Sequence, residues 1–133
     1  MGKVRKMVLI ILTAILALYL ACGLQLFFQV QKVLNGILDN RPYDGAYNGF
    51  ISEDFYEIMN QRRDKLLPNK TEEYDFSPPV VLHNFFEATV KYDYTYRLRE
   101  GDKLITASTD IDVTLKFKRS GLNWEMVSYY EAP

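Results

Sequence analysis

The stretch ATVKYDYTYRL at residues 88–98 alternates apolar or aromatic residues with polar ones at every step. This two-residue period is that of a β-strand with one face buried and the other face in water. A second run with the same period covers residues 105–118, and a third covers residues 124–126. The segments between them, EGDK at 100–103 and RSGLN at 119–123, each carry a glycine where a tight hairpin needs a positive φ. The sequence therefore predicts a three-stranded antiparallel meander.

The register of this meander can be predicted from the requirement that apolar residues face apolar residues. A first turn centred on residues 101–102 pairs Tyr92 with Ile111, and a second turn centred on residues 120–121 pairs Phe117 with Trp124. Strands of about 12 to 14 residues exceed the usual length, so we expect the sheet to curl strongly. The apolar side then becomes a trough, the concave face of the sheet, which a helix near residues 52–67 can fill.

The N-terminal part of the chain predicts a membrane-spanning helix. From Met7 to Leu24 the residues are apolar apart from Thr13, and no charged residue occurs from Met7 to Gln31. Continued by QLFFQV, this run forms a helix of about 30 Å, enough to cross a bilayer. The basic residues that precede it should stay in the cytoplasm by the positive-inside rule; they are Lys3, Arg5 and Lys6. We therefore expect a single-pass protein of the plasma membrane with its C-terminal part outside the cytoplasm.

Cys22, within LYLACG at residues 18–23, raises the alternative of a lipoprotein acylated at that cysteine. Of the residues that a lipoprotein signal usually places before the cysteine, only Ala21 fits. After Cys22 the chain continues as an apolar helical sequence, where a lipoprotein would have a polar tether. We therefore interpret Cys22 as a residue of the uncleaved helix, with the lipoprotein and a buried helix of a soluble protein as alternatives.

The predicted fold class is α+β, with an N-terminal transmembrane helix and a small domain. One or two helices of that domain pack on a curled antiparallel sheet of three to four strands. The predicted division is a cytoplasmic tail at 1–6, a transmembrane helix at 7–31, a juxtamembrane helix and connector at 32–50, and an extracytoplasmic α+β domain at 51–133. The apolar stripe that follows the span should pack on this domain; it comprises Phe27, Val30, Leu34 and Ile37. Residues 69–79 are expected to form a polar loop.

Composition excludes several classes of function. From Val33 onward there are 12 basic and 17 acidic residues, a net charge of about −5, so the domain lacks the basic face that nucleic-acid binding requires. One histidine and one cysteine cannot build a metal cluster or a nucleophile–base pair. No glycine-rich phosphate loop occurs. We expect no enzymatic activity, no cofactor and no metal.

The order of elements, with helices followed by a long curled meander that ends in NWEMVSYYEAP at 123–133, resembles the nuclear-transport-factor-2-like superfamily of cone-shaped α+β domains. The resemblance covers about residues 50–133 and implies no site residue, because that superfamily shares no motif. A cystatin-like sheet wrapped on one helix is the competing fold. Single-span proteins with such an outward domain are similar to assembly components of bacterial conjugation and secretion machines. The implied partners are the lipid bilayer and one or more proteins of a membrane complex.

Two sets of residues are candidate functional sites. The first set should point into the trough, either as core or as the lining of a pocket for a small apolar ligand; it comprises Tyr92, Tyr94, Tyr96 and Tyr130. The second should lie side by side on the outer face, either as a solvated row or as a surface for a cationic partner; it comprises Asp93, Asp110 and Glu131. The two hypotheses for function are accordingly a protein-interaction module and a ligand-binding pocket.

Overall fold

The computed structural model describes residues 2–60 and 70–132, and within them it has the predicted α+β architecture. A long apolar helix and a short second helix accompany one open antiparallel sheet. The helices are α1 (Gly2–Leu38) and α2 (Glu53–Met59), with a 3₁₀ turn at Gly45–Tyr47 between them, and the strands are β1 (Lys70–Phe76), β2 (Val80–His83), β3 (Glu87–Glu100), β4 (Lys103–Ser120) and β5 (Asn123–Glu131).

The sheet has the order β1-β3-β4-β5, and β2 pairs with the same edge of β3 as β1 does. Pro78 and Pro79 separate β1 from β2, because a proline has no N–H to donate to a neighbouring strand. Ser77 closes the gap, since its N–H donates to the Asp93 carbonyl and its Oγ accepts from the Asp93 N–H, each at 2.8 Å.

The prediction of a polar loop at residues 69–79 was wrong for Lys70–Phe76, which forms β1. Tyr74 and Phe76 face the trough while Glu73 and Asp75 face water, the alternation of a half-buried strand. Two aromatic positions among several charges were too weak a pattern to identify from sequence. With β1 included, the sheet has more strands than the three or four predicted.

The trough is filled by the C-terminal third of α1. The side chains that enter it are at most 1% exposed; they are Leu26, Val30, Val33, Leu34 and Ile37. They pack in one core cluster with residues from the central strands, such as Val90, Leu115 and Trp124. The predicted packing of the apolar stripe on its own domain is confirmed for Val30, Leu34 and Ile37, whereas Phe27 is only half-buried.

The helix near residues 52–67, which we expected to fill the trough, has a smaller role in the described residues. α2 begins after Ser52, whose Oγ accepts a hydrogen bond from the Phe55 N–H, and it adds Tyr56 and Met59 to the core. The predicted continuation from 61 to 67 lies outside the described residues. The difference has a simple cause: α1 extends into the domain without a break and occupies the concave face.

α1 passes the predicted boundary at residue 31 as a continuous helix. Leu26 and Val30 lie inside the predicted span of 7–31 yet belong to the domain core. The part of α1 that has exposed apolar side chains all around it is therefore the N-terminal part, from Val4 to Leu18. Where the membrane boundary lies stays a prediction.

Gly36 allows a close contact between α1 and the connector that follows it. A Cβ at this position would lie 3.0 Å from the Tyr47 hydroxyl and 3.4 Å from the Tyr56 hydroxyl. α1 ends at Leu38; Asn40 then adopts φ 54°, and the Arg41 N–H donates to the Gly36 carbonyl at 2.8 Å. This is the hydrogen bond of a Schellman C-cap, and it turns the chain back towards the domain.

The first hairpin has the predicted turn, with Glu100 paired to Lys103, but its register differs beyond the turn. β4 contains two bulges, one at Ile105 and one at Thr109–Asp110, where Asp110 has φ 53°. Each bulge adds one residue to β4, so Tyr92 pairs with Val113 and not with Ile111 as predicted.

The second hairpin turns at Gly121 and Leu122, one residue later than predicted, and pairs Phe117 with Met126 instead of Trp124. β5 has a single bulge at Val127, and the Met126 N–H donates to the Phe50 carbonyl of the connector at 2.8 Å. A single extra residue reverses which side chains face the trough from that point onward.

The role of α1 in the core predicts that Leu34→Ala destabilises the protein strongly. Deleting a fully buried leucine side chain costs about 2 to 5 kcal/mol of unfolding free energy, because transfer and cavity terms add. Leu38→Ala, one helical turn later at a position 44% exposed, is the matched control and should change it by about 0.5 kcal/mol or less. Denaturation of the full chain in detergent, followed by fluorescence of its single tryptophan, measures both. Equal losses would contradict the packing of α1 in the trough.

Candidate functional site

Aromatic rings line the part of the trough that β1 and β3 form. The rings of Tyr74 and Tyr96 lie 5.4 Å apart, Phe76 and Tyr92 are 5.9 Å apart, and Tyr74 and Tyr94 are 6.0 Å apart. Tyr92 and Tyr94 are buried and Tyr96 is half-buried. These three tyrosines thus face the trough as predicted, in ring-to-ring contacts typical of a packed core. A role for them in binding a ligand stays a prediction.

The phenol hydroxyls of this cluster donate to carboxylates. Tyr94 donates to Glu131 Oε1, and Tyr96 donates to Glu72 Oε1 at 2.6 Å. Burial first, and then the hydrogen bond and negative charge of Glu131, raises the pKa of Tyr94; burial is also the main cause that raises the pKa of Tyr92. These phenols therefore stay protonated near neutral pH and act as hydrogen-bond donors, not as bases.

Tyr130 does not belong to the tyrosine cluster, and the prediction that it points into the trough was wrong. Its side chain is 60% exposed. The bulge at Val127 is the reason: it turns Tyr129 and Glu131 towards the trough and Tyr130 towards water. Tyr129 takes the predicted place, and its hydroxyl lies 3.4 Å from Glu131 Oε2.

The same bulge removes Glu131 from the predicted acidic row on the outer face. Asp93 pairs directly with Asp112, which we had not included, and Asp110 lies in the adjacent bulge. We call Asp93, Asp110 and Asp112 the acidic patch. A hydrogen bond with Asp112, followed by desolvation and the charges of Asp112 and Asp110, raises the pKa of Asp93.

A shallow pocket of about 210 Å³ adjoins the acidic patch, and Asp75, Asp93 and Asp110 contribute to its lining. Asp75 also contacts a cation, since one of its oxygens lies 3.6 Å from Arg97 Nη1. Among the residues that the structure describes, no group of histidine, cysteine and carboxylate side chains is suited to hold a metal ion. The patch offers hydrogen-bond acceptors to a cationic side chain, and that role stays a prediction.

The tip of the β3–β4 hairpin projects beyond the core. Every residue from 101 to 110 is exposed, including the apolar Leu104 and Ile105. β5 pairs with β4 only from Val113 to Ser120, so between residues 103 and 111 the edge of β4 that faces away from β3 has no partner strand within the described residues. We call residues 101–110 the distal arm. The signal that sequence reasoning missed is the unequal length of the runs, because the second run starts well before any partner in the third.

The opposite end of the sheet is fastened to α1 by a second group of side chains. His83 lies at its centre: its ring stacks on Tyr19 at 3.9 Å, and its Nε2 lies 2.7 Å from the Tyr19 carbonyl. Its Nδ1 accepts the Phe85 N–H at 3.0 Å, so Nε2 carries the proton and donates to Tyr19. Both ring nitrogens are used to hold the β2–β3 turn against the helix.

Arg119 fastens the other turn at this end. Its Nε donates to the Phe85 carbonyl at 2.9 Å and Nη1 reaches the Leu122 carbonyl at 3.4 Å. Nη2 lies 3.4 Å from Cys22 Sγ, and the guanidinium stands 4.2 Å above the Trp124 ring. One side chain thus links α1 with the β2–β3 and β4–β5 turns. We call Tyr19, Cys22, His83, Phe85, Arg119 and Trp124 the basal cluster.

Comparison with known proteins gives no match: no family model, no curated protein and no solved structure is similar to this chain. The resemblance to the nuclear-transport-factor-2-like superfamily therefore stays a prediction.

The hydrogen bond between Tyr94 and Glu131 predicts that Tyr94→Phe destabilises the domain. A hydrogen bond to a charged group contributes about 1.5 to 3 kcal/mol of unfolding free energy, and its loss leaves a carboxylate with one donor fewer. Tyr130→Phe on the exposed side of β5 is the control and should change the free energy by about 0.5 kcal/mol or less. Chemical denaturation compares the two. A larger effect at Tyr130 would contradict the bulge at Val127.

The acidic patch predicts a stability that depends on pH. Because the folded-state pKa of Asp93 lies above its unfolded value, ionisation opposes folding, and this penalty grows as pH rises through the folded-state pKa. Asp112→Asn should therefore raise the unfolding free energy at about pH 7 but not at about pH 3, where the carboxyls are protonated. Asp102→Asn in the hairpin turn is the charge-matched control. An equal gain from both variants at neutral pH would show that the patch has no special repulsion.

Proposed function

We propose that this chain is a single-span protein of the plasma membrane whose outward α+β domain is a non-enzymatic interaction module, an assembly or accessory component of a membrane complex. The support for the membrane anchor is α1, which is long and apolar enough to cross a bilayer and whose most apolar stretch is not buried by the domain. Such a helix near the N-terminus is also compatible with a signal sequence, so the anchor needs its own test.

The proposed orientation rests on charge. Lys3, Arg5 and Lys6 precede the apolar stretch, and no acidic residue occurs before Asp39. Lysine and arginine next to a span are retained on the cytoplasmic side. The domain then lies on the extracytoplasmic side, where it can meet the other components of a membrane complex.

The distal arm is the observation that carries the proposal of an interaction module. The exposed residues 101–110 add nothing to the core, whereas the β3 residues that pair with them, from Tyr96 to Arg99, are half-buried. Leu104 and Ile105 offer apolar area there, 48% and 41% exposed, beside a β4 edge that no described strand covers. A partner can bury these side chains and pair with the short free stretch of backbone between the two bulges.

The chemistry of the described residues supports a non-enzymatic role. His83 is the one histidine of the chain, and both its ring nitrogens serve structural hydrogen bonds. Burial raises the pKa of Tyr92 and Tyr94, and the hydroxyls of Tyr94 and Tyr96 donate to Glu131 and Glu72. The alternative of a pocket for a small apolar ligand is less well supported, because the rings of Tyr92 and Tyr94 are already buried against Phe76.

The alternative of a lipoprotein is also less well supported. Acylation at Cys22 requires cleavage before that residue, which would remove Tyr19. Tyr19 stacks on His83 and accepts its hydrogen bond, and Cys22 itself packs against the core at mid-helix. Cleavage would therefore disrupt the basal cluster.

Replacing Cys22 by serine tests the anchor. We expect the variant to stay in the membrane fraction after alkaline carbonate extraction, because the apolar helix and not an acyl chain holds it. Replacing Leu12 and Leu16 with arginine in the same helix is the control and should release the protein, since each charge near the bilayer centre costs about 2.5 to 3.5 kcal/mol. Loss of the Cys22 variant from the membrane, or a lipid mass on the native chain, would contradict the anchor.

Site-specific photo-crosslinking tests the interaction surface. A benzophenone amino acid at Ile105 should give a discrete adduct with a membrane-complex partner in intact cells. The same residue at Val127 on β5, 44% exposed against 41% for Ile105, is the matched control and should give none. Adducts at Val127 but not at Ile105 would move the interaction surface away from the distal arm.

A further inference from the structure

We propose that the domain is seated in the membrane surface, with Phe86 and Leu122 inserted among the lipids of the outer leaflet. This inference rests on the membrane anchor of the proposed function and adds to it a second lipid contact made by the folded domain. The surface concerned is the base of the sheet, formed by the β2–β3 turn at residues 84–86 and the β4–β5 turn at residues 121–122.

The part of α1 that precedes its first contact with the domain is too short to cross a bilayer. The domain first contacts α1 at Tyr19, through the stacking of His83. From Met7 to Tyr19 a helix rises about 18 Å, and from Val4 it rises about 22 Å. The hydrocarbon core of a bilayer is about 30 Å thick, and helix tilt would shorten the coverage further. The apolar residues after Tyr19 are therefore needed to complete the span. Because the domain contacts α1 from Tyr19 onward, the end of the span and the base of the domain lie at the same depth.

The contacts along α1 show which parts of the domain share that level. His83 and Phe85 contact Tyr19, and Arg119 reaches Cys22. Gln25 Nε2 lies 3.3 Å from the Leu122 carbonyl. Both turns at the base of the sheet thus lie beside helix residues 19 to 25. On the opposite side of the helix, Leu20 and Leu24 are about half exposed, as expected of residues that face lipid.

Each of the two turns at the base of the sheet carries a highly exposed apolar side chain. Phe86 is 71% exposed and Leu122 is 88% exposed, among the most exposed large apolar side chains of the described residues. Their backbones are held in place, since the Arg119 N–H donates to the Phe86 carbonyl at 2.7 Å and Nη1 reaches the Leu122 carbonyl at 3.4 Å. An apolar side chain held outward in water gains nothing, whereas burial in lipid is favourable in proportion to its area.

The charges on the outer face of the sheet fit the same orientation. Lys116 and Lys118 are exposed on β4 close to the base, within reach of headgroup phosphates. The acidic patch lies further along β3 and β4, on the side of the distal arm. Glu87 and Glu125 pair with Lys118 on either side, so the lysines and glutamates at the base balance in charge, while the acidic patch lies away from the anionic headgroups.

Such a seat fixes the orientation of the domain. α1 enters the domain without a linker, and the two turns would add contacts to one side of the helix exit. β4 spans roughly 55 Å along its path from the base to the hairpin turn. The distal arm would then be presented at a defined height above the membrane.

Nitroxide accessibility tests the seat in the full chain. With Cys22→Ser as background, cysteine is introduced at Leu122 or, in the matched control, at Asp102, the equivalent second residue of the other hairpin turn. Each variant is spin-labelled and reconstituted in vesicles of phosphatidylcholine and phosphatidylglycerol. We expect the label at 122 to be relaxed more by oxygen than by a water-soluble nickel chelate, and the label at 102 to show the reverse. Phe86→Cys is a second site with the same expectation as 122.

The outcomes separate this inference from the anchor. Lipid-like accessibility at 122 and 86 with water-like accessibility at 102 supports the seat. Water-like accessibility at all three sites, in protein that resists carbonate extraction, would overturn the seat and leave the anchor standing. Protein that does not integrate into the vesicles would overturn both.

Discussion

The packing of residues 26–37 of α1 into the trough is the interaction on which the rest of the structure depends. Five side chains at most 1% exposed enter the concave face of the sheet from this one helix. Without them, Val90, Leu115 and Trp124 would face water, and each buried side chain of this size contributes about 1.5 to 3 kcal/mol. The sheet and the C-terminal third of the helix therefore form one folding unit.

In the proposed function α1 is both anchor and core, and no flexible linker then separates the membrane from the domain. Side chains at both ends of the contact between α1 and the sheet hold the helix in place. At the base, His83 and Arg119 tie the strand turns to residues 19–25, and at the far end Gly36 lets Tyr47 and Tyr56 approach the helix closely. As the proposed anchor, α1 would transmit its own rotation or tilt to the domain, because the helix and the domain share one core. In the proposed membrane complex, this rigid connection would hold the distal arm in a fixed position relative to the helix.

The sequence predicted the α+β class, the long apolar helix and the hairpin turn at Gly101 because each rests on a local pattern: alternation, an uncharged run and a glycine between strands. It did not predict the bulges, because an inserted residue leaves the apolar pattern nearly unchanged while it alters the pairing. The two bulges of β4 cancel in parity, so Val113 faces the trough as predicted, although it pairs with Tyr92 in place of Ile111. The single bulge of β5 does not cancel, so Tyr130 and Glu131 exchanged faces. The acidic patch could therefore be predicted only in part, with Asp93 and Asp110 included and Asp112 missed.

Hydrogen exchange of the full chain in lipid vesicles tests most directly whether α1 and the sheet are one folding unit. The account predicts that the amides of residues 26–37 are protected to the same degree as those in the centre of β3 and β4, because all of them exchange only when the whole domain unfolds. It also predicts no step in protection where α1 passes residue 31. Rapid exchange of residues 26–37 while β3 and β4 remain protected would show that the sheet folds without the helix, and would contradict the central role of this packing.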